Sequence, residues 1–158
     1  MKNTFKRSGA ALISLVLLLV LAVSAGAANS QNVGVKFWKE RSDKESMANS
    51  GIDPDRTATL TRQANGTYTL TLPVIQVSKL GVTGYLSGLT IGDVTYNGTL
   101  TGDFNKATAV LTIKNLPASV LTGSDVNKSV LVTCNIQMDL QVLGEINTSA
   151  RMCIWNQK

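Results

Sequence analysis

The stretch SVLVTCNIQMDLQV, Ser129 to Val142, places Val130, Val132, Cys134, Ile136, Met138, Leu140 and Val142 in one apolar row, with mostly polar residues between them. Successive side chains of a strand point to opposite faces, so this period of two describes a strand with one buried face and fits no helix. The same period recurs along the chain. In VGVKFWK, Val33, Val35 and Phe37 share a face, and in TATLT the threonines Thr57, Thr59 and Thr61 alternate with Ala58 and Leu60. NGTYTLTL opens on the turn dipeptide Asn65-Gly66 and then sets Tyr68, Leu70 and Leu72 against threonines. Thr57 to Val77 is therefore expected to be a hairpin, with Pro73 marking an edge or a break. From Val82 to Asp103 five glycines separate short β-branched pieces, which predicts short strands and tight turns. Thr108 to Lys114 and Thr148 to Trp155 add two more strands. Seven or eight short strands, threonine-rich and without a helical period, predict an all-β chain, an immunoglobulin-like antiparallel β-sandwich.

The N-terminus sets the compartment. Lys2, Lys6 and Arg7 precede an apolar run from Ala10 to Val23, and Ser24 to Ala28 supplies small residues for cleavage. That is the pattern of a signal peptide, residues 1–28, followed by a domain over 29–158. The run is short of the roughly 20 residues a membrane-spanning helix needs. Three of the 15 basic residues and none of the 10 acidic ones lie in this segment, so the mature domain is nearly neutral. Scattered, balanced charge gives no stripe for nucleic acid. With no LPxTG motif and no cysteine beside the cleavage site, the mature chain is expected to be secreted or held at the cell surface by a partner, with no membrane span.

Histidine is absent from the sequence. This removes Ser-His-Asp and Cys-His nucleophiles and every zinc site built on imidazole, and the acids show no spacing for a carboxylate pair, so the protein is not expected to be an enzyme. Asp53-Pro54-Asp55 reads as a turn or as half of a calcium site. The sequons at Asn65, Asn97, Asn127 and Asn147 would matter in a eukaryotic secretory pathway, and the two that are Asn-Gly, at Asn65 and Asn97, are explained equally well by turns. Cys134 and Cys153 lie on the last two strands: export favours a disulfide, while strict alternation puts them on opposite faces.

One polar loop has no pattern of its own, KESMANSGIDP, Lys44 to Pro54. An apolar strand, then ESMANSGIDPDRTATLTRQANGTYTLTLPV, then a long late hairpin is the order of elements in the near-iron transporter (NEAT) domain family, which the sequence resembles across most of Val33 to Trp155. The match is sharpest at Ser46-Met47-Ala48-Asn49. The resemblance implies an immunoglobulin-like domain of a Gram-positive surface that serves iron acquisition by binding or passing haem, or by capturing haemoproteins. It places haem between the Ser-Met segment and the last hairpin. Ser46 would donate to a propionate, Met47 would pack on the ring, Lys44 would add charge at the rim, and Met138, Leu140, Val142 and Ile146 would form the hairpin wall. Haem-binding members usually open the last strand with Tyr-x-x-x-Tyr, whose first tyrosine ligates the iron. Leu140 to Ala150 holds no tyrosine. Met138, Met152 or Met47 could offer a thioether instead, and Met138 and Met152 also suit plain core packing.

Two other functions fit the residues. The same loop and hairpin could grip a protein, such as a haemoprotein or another NEAT-like protein, without holding haem. A carbohydrate-binding face would rest on Trp38 and Trp155.

Overall fold

The computed structural model describes residues 29–79, 81–139 and 144–158. Residues 1–28, where a signal peptide is expected, and the hairpin residues Leu140 and Val142 lie outside the described residues. Nine strands follow in order: β1 (Asn29–Lys39), β2 (Ala58–Arg62), β3 (Tyr68–Pro73), β4 (Val77–Lys79), β5 (Val82–Ile91), β6 (Val94–Thr101), β7 (Val110–Leu116), β8 (Val130–Met138) and β9 (Glu145–Asn156). Among the described residues only short 3₁₀ helices interrupt them, including Met47–Gly51, Ala118–Val120 and Val126–Lys128. Among the described residues no helix is long and apolar enough to cross a membrane.

The strands pair in the order β4-β5-β6-β7-β3-β2-β1-β9-β8, and β5 also pairs with β8. Eight antiparallel strands thus close on themselves and β4 adds a ninth at the rim, which leaves few unpaired edges. The expected hairpin forms with Thr59 opposite Thr71 and Leu60 opposite Leu70. Its turn needs Gly66, whose φ of 82° suits a residue without Cβ. Pro73 ends β3. The glycine-punctuated middle differs from expectation, since β5 is a single strand of 10 residues. A register shift between Leu86 and Gly88 lets it stay paired with β8 despite its broken apolar pattern.

The core is built from the inward rows of these strands. Phe37, Leu60, Leu70, Leu72, Leu89, Leu111, Ile113, Met152 and Ile154 are fully buried. β8 and β9 pair Val130 with Met152, Val132 with Ala150, Cys134 with Thr148 and Ile136 with Ile146. The even row of β8 therefore shares a face with the even row of β9, and Cys153 points the other way. Both cysteines are buried free thiols, so the alternation wins over the expectation from export. Burial among apolar neighbours pushes the Cys134 thiol up from 9.0 to about 12.

Candidate functional site

The loop after β1 is built to return on that strand. The Lys39 amide donates to the Lys44 carbonyl at 2.8 Å and the Ser46 amide to the Phe37 carbonyl at 2.9 Å. Arg151 on β9 fastens the loop from the side, with Nη2 2.7 Å from Asp43 Oδ1 and 2.9 Å from the Ser42 carbonyl. Ser46 caps the 3₁₀ helix Met47–Gly51, its Oγ accepting from the Ala48 amide at 3.3 Å. Asn49 then acts as a missing strand partner. Its Oδ1 accepts from the Phe37 amide at 2.8 Å and its Nδ2 donates to the Phe37 carbonyl at 2.7 Å. A side-chain amide reproduces a backbone ladder here, where the helix itself cannot pair.

The helix rests on β1 and β5. In the barrel β9 and β8 stand between those two strands. What remains between the helix and the β8–β9 hairpin is a groove of about 400 Å³. The helix side contributes Ser46, Met47 and Ala48, and the hairpin side Ile136, Met138 and Ile146. Val77, Val82 and Leu86 extend the apolar lining, while Lys39, Glu40, Thr148 and Ser149 supply the polar part. Met138 stands opposite Gly84 on β5. A Cβ at Gly84 would lie 2.7 Å from Met138 Sδ and 2.9 Å from the Gln137 carbonyl oxygen, so the thioether is seated in space that only glycine leaves open. At the mouth, Met47 is 59% exposed and Ile146 41% exposed. Apolar side chains of that size left in water on facing walls mark a surface that something covers.

Four of the residues expected from the sequence meet here: Ser46, Met47, Met138 and Ile146. Lys44 does not; it is exposed and absent from the lining, and Lys39 stands there because the loop reversal brings that end of β1 to the groove. Met152 is corrected from candidate iron ligand to core residue, being fully buried and opposed to Phe37 and Val130. Tyr85 of β5 is also among the residues that border the groove. It is opposed to Gln137, which puts it on the face away from Gly84 and Met138, and its ring lies 5.2 Å from that of Phe104. Sequence reasoning missed Lys39, Asn49, Gly84 and Tyr85. A glycine-broken strand hides its pairing, and a capping asparagine looks like any loop asparagine.

The other candidates resolve as structure. Asp53 is buried, accepts from the Asp55 amide at 3.0 Å and lies 3.6 Å from Arg56, a stapled turn. No group of three His, Cys, Asp or Glu side chains suited to a metal ion occurs among the described residues. Trp38 and Trp155 are half-buried and line no part of the groove. Lys36 Nζ sits 4.5 Å above the Trp38 ring and the Trp155 ring lies over Gly34, so neither face is an open stacking platform.

No protein-family model matches the chain, and no curated protein matches its sequence. Solved structures are similar in fold. One is a point mutant of the NEAT5 domain of IsdX2 in complex with haem, with a TM-score of 0.53 and 10% identity over 84% of this chain and 98% of that one. Another is the NEAT5 domain of IsdX2, a B. anthracis haemophore, in complex with haem, with a TM-score of 0.50 and 8% identity over 84% of this chain and 99% of that one. The chain has the all-β, immunoglobulin-like fold of NEAT domains.

Proposed function

We propose that the protein is an exported, non-enzymatic haem-binding protein of the NEAT type that takes haem into the groove between the 3₁₀ helix Met47–Gly51 and the β8–β9 hairpin. The observation that carries this reading is the groove itself, with apolar side chains on both walls and hydroxyls and a lysine beside them. Its volume of about 400 Å³ falls within the range of small-molecule sites. A flat apolar macrocycle with two carboxylates matches that division of chemistry. Met47 and Ala48 on one side and Ile136, Met138 and Ile146 on the other would hold the ring by excluding water. Ser46 Oγ already accepts from the Ala48 amide, and its O–H is the part suited to a propionate. Lys39 takes the role of rim charge that the family resemblance implied for Lys44. Haem is the cargo, and its iron would be carried without the tyrosine that family members use, since Leu140 to Ala150 contains none. Export rests on the N-terminal pattern of Lys2 to Ala28.

Titration of the full chain with haemin checks the proposal. A saturable one-to-one change in the Soret band that weakens severalfold in Ser46→Ala is expected, and absence of saturable binding would sink it. The exposure of Met47 and Ile146 at the mouth favours a second reading, in which the rim grips a haemoprotein or another NEAT-like protein. Capture of a haemoprotein by a form that takes up no free haem would select that reading over the first.

A further inference from the structure

We infer that Met138 and Met47 are the iron ligands of this groove, one thioether from each wall, and that the groove therefore prefers ferrous haem. The inference rests on the haem reading above and adds the identity of the ligands and the oxidation state of the cargo.

Elimination among the lining side chains leads to sulfur. Histidine is absent from the chain. Tyr85 sits on the face away from Met138 and packs its ring near Phe104. Ser46, Thr148 and Ser149 carry neutral hydroxyls, which are weak donors to iron and strong donors to carboxylates. Lys39 carries an ammonium with no lone pair to give, and Glu40 a hard carboxylate oxygen rather than a soft donor. The two methionines remain, and they come from different walls. Met138 is the better fixed, because its sulfur occupies the gap over Gly84 and cannot be replaced there by a neighbour's side chain. Met47 leads the 3₁₀ helix that Asn49 fastens to Phe37, so its backbone is held while its side chain reaches the groove.

The ligand type sets the oxidation state. A thioether is neutral, soft and polarisable, and suits the softer, electron-richer iron. Methionine ligation raises haem potentials for this reason. Charge works in the same direction. Ferrous iron in a porphyrin dianion is neutral at its centre, whereas ferric iron leaves one positive charge there. A tyrosinate would cancel that charge; two thioethers do not, and apolar walls make an uncancelled charge costly.

The test uses the full chain with haem in both oxidation states, the variants Met47→Leu, Met138→Leu and the double variant, and iron X-ray absorption on the unmodified complex. The expected ferrous complex is six-coordinate and low-spin with an iron–sulfur scattering path. Each single variant is expected to become five-coordinate and to bind carbon monoxide without displacing a ligand. The double variant should lose the preference for ferrous over ferric haem by about tenfold or more, with a lower midpoint potential. Leucine conserves the side-chain volume, and the absorption measurement needs no variant at all. A complex without an iron–sulfur path, or one whose spin state and potential are unchanged in the double variant, overturns the ligand assignment while leaving haem binding intact. Failure of the unmodified chain to bind haem in either state overturns both.

Discussion

The two ends of the β8–β9 ribbon are made from the same apolar rows and come to opposite uses. At one end Val132, Cys134, Ala150, Met152 and Ile154 are buried. The loop from Ala118 to Lys128 seals that end: the Thr122 and Gly123 amides both donate to the Ile154 carbonyl, at 3.1 and 3.0 Å. At the other end Ile136 and Met138 are half-buried and Ile146 is exposed. There the nearby helix is fastened to Phe37 and stands off from the hairpin. An apolar row is thus a core or a groove wall according to where the neighbouring loop is anchored, not according to its own sequence. The two methionines make the sharpest test. Met152→Ala opens a cavity in the sealed end and is expected to cost about 2–5 kcal/mol of stability while leaving the haem affinity of the folded protein unchanged. Met138→Leu conserves volume and is expected to cost less than about 1.5 kcal/mol while altering the haem spectrum. Urea denaturation and haem titration on both variants check this, and equal losses in both measurements would erase the distinction between the ends.

The sealed end also has a pH signature. The Cys134 thiol is held neutral, with its pKa raised from 9.0 to about 12 by burial. Between those values the unfolded chain releases a proton that the folded chain keeps. Stability is therefore complete below pH 9 and falls as pH rises toward 12, by about 1.4 kcal/mol per unit at most, or roughly 3 kcal/mol by pH 11. Cys134→Val, which keeps the core filled, should flatten that decline in a urea midpoint series from pH 8 to 11. An unchanged slope would show that another group sets the alkaline limit. Since Cys134 and Cys153 are free, both should react with a thiol reagent in denaturant without prior reduction.

The open end depends on its anchor. Asn49→Ala removes both side-chain bonds to Phe37; the Phe37 carbonyl keeps the Ser46 amide, but the buried Phe37 amide is left without a partner, an expected cost of about 2 kcal/mol. Because the loss is local, hydrogen exchange at Phe37 and Ala48 should quicken far more than at Met152 and Ile154. Uniform quickening along β9 would mean that the helix and the core open together.

Most of the strand inventory was legible because alternation is a local signal. Val130 to Met138, within the row expected from Ser129 to Val142, and the Thr57 to Val77 hairpin need only their own residues to be recognised. The closure of the barrel was not legible. It depends on β5 pairing with β8 across a strand whose Gly84, Ser87 and Gly88 interrupt any apolar row, and on a register shift at Leu86 that no local pattern encodes. At the site, Ser46 and Met47 stood out through a resemblance carried by four residues, whereas Gly84 and Asn49 act by empty space and by imitation of backbone. Neither leaves a compositional trace. Pairing also decides Met138 against Met152: both follow the same alternation, and only the three-dimensional position of each along the ribbon separates a groove wall from a core.

The smallest effect concerns the rim, where adjacency in sequence and adjacency in space disagree. Lys44 lies two residues before Ser46, yet the Lys39–Lys44 reversal turns it outward and leaves Lys39 and Glu40 on the groove. Both are exposed side chains, so water and salt screen them and each is worth little. Lys39→Ala is expected to weaken haem binding about threefold at low ionic strength and hardly at all in high salt, as an exposed charge facing a propionate should. Glu40→Gln should strengthen it by a similar factor by removing a repulsion, and Lys44→Ala should change nothing. Titrations at two salt concentrations separate these cases. A salt-dependent loss in Lys44→Ala with none in Lys39→Ala would move the polar rim to the other side of the loop, and with it the expected orientation of the ligand's carboxylates.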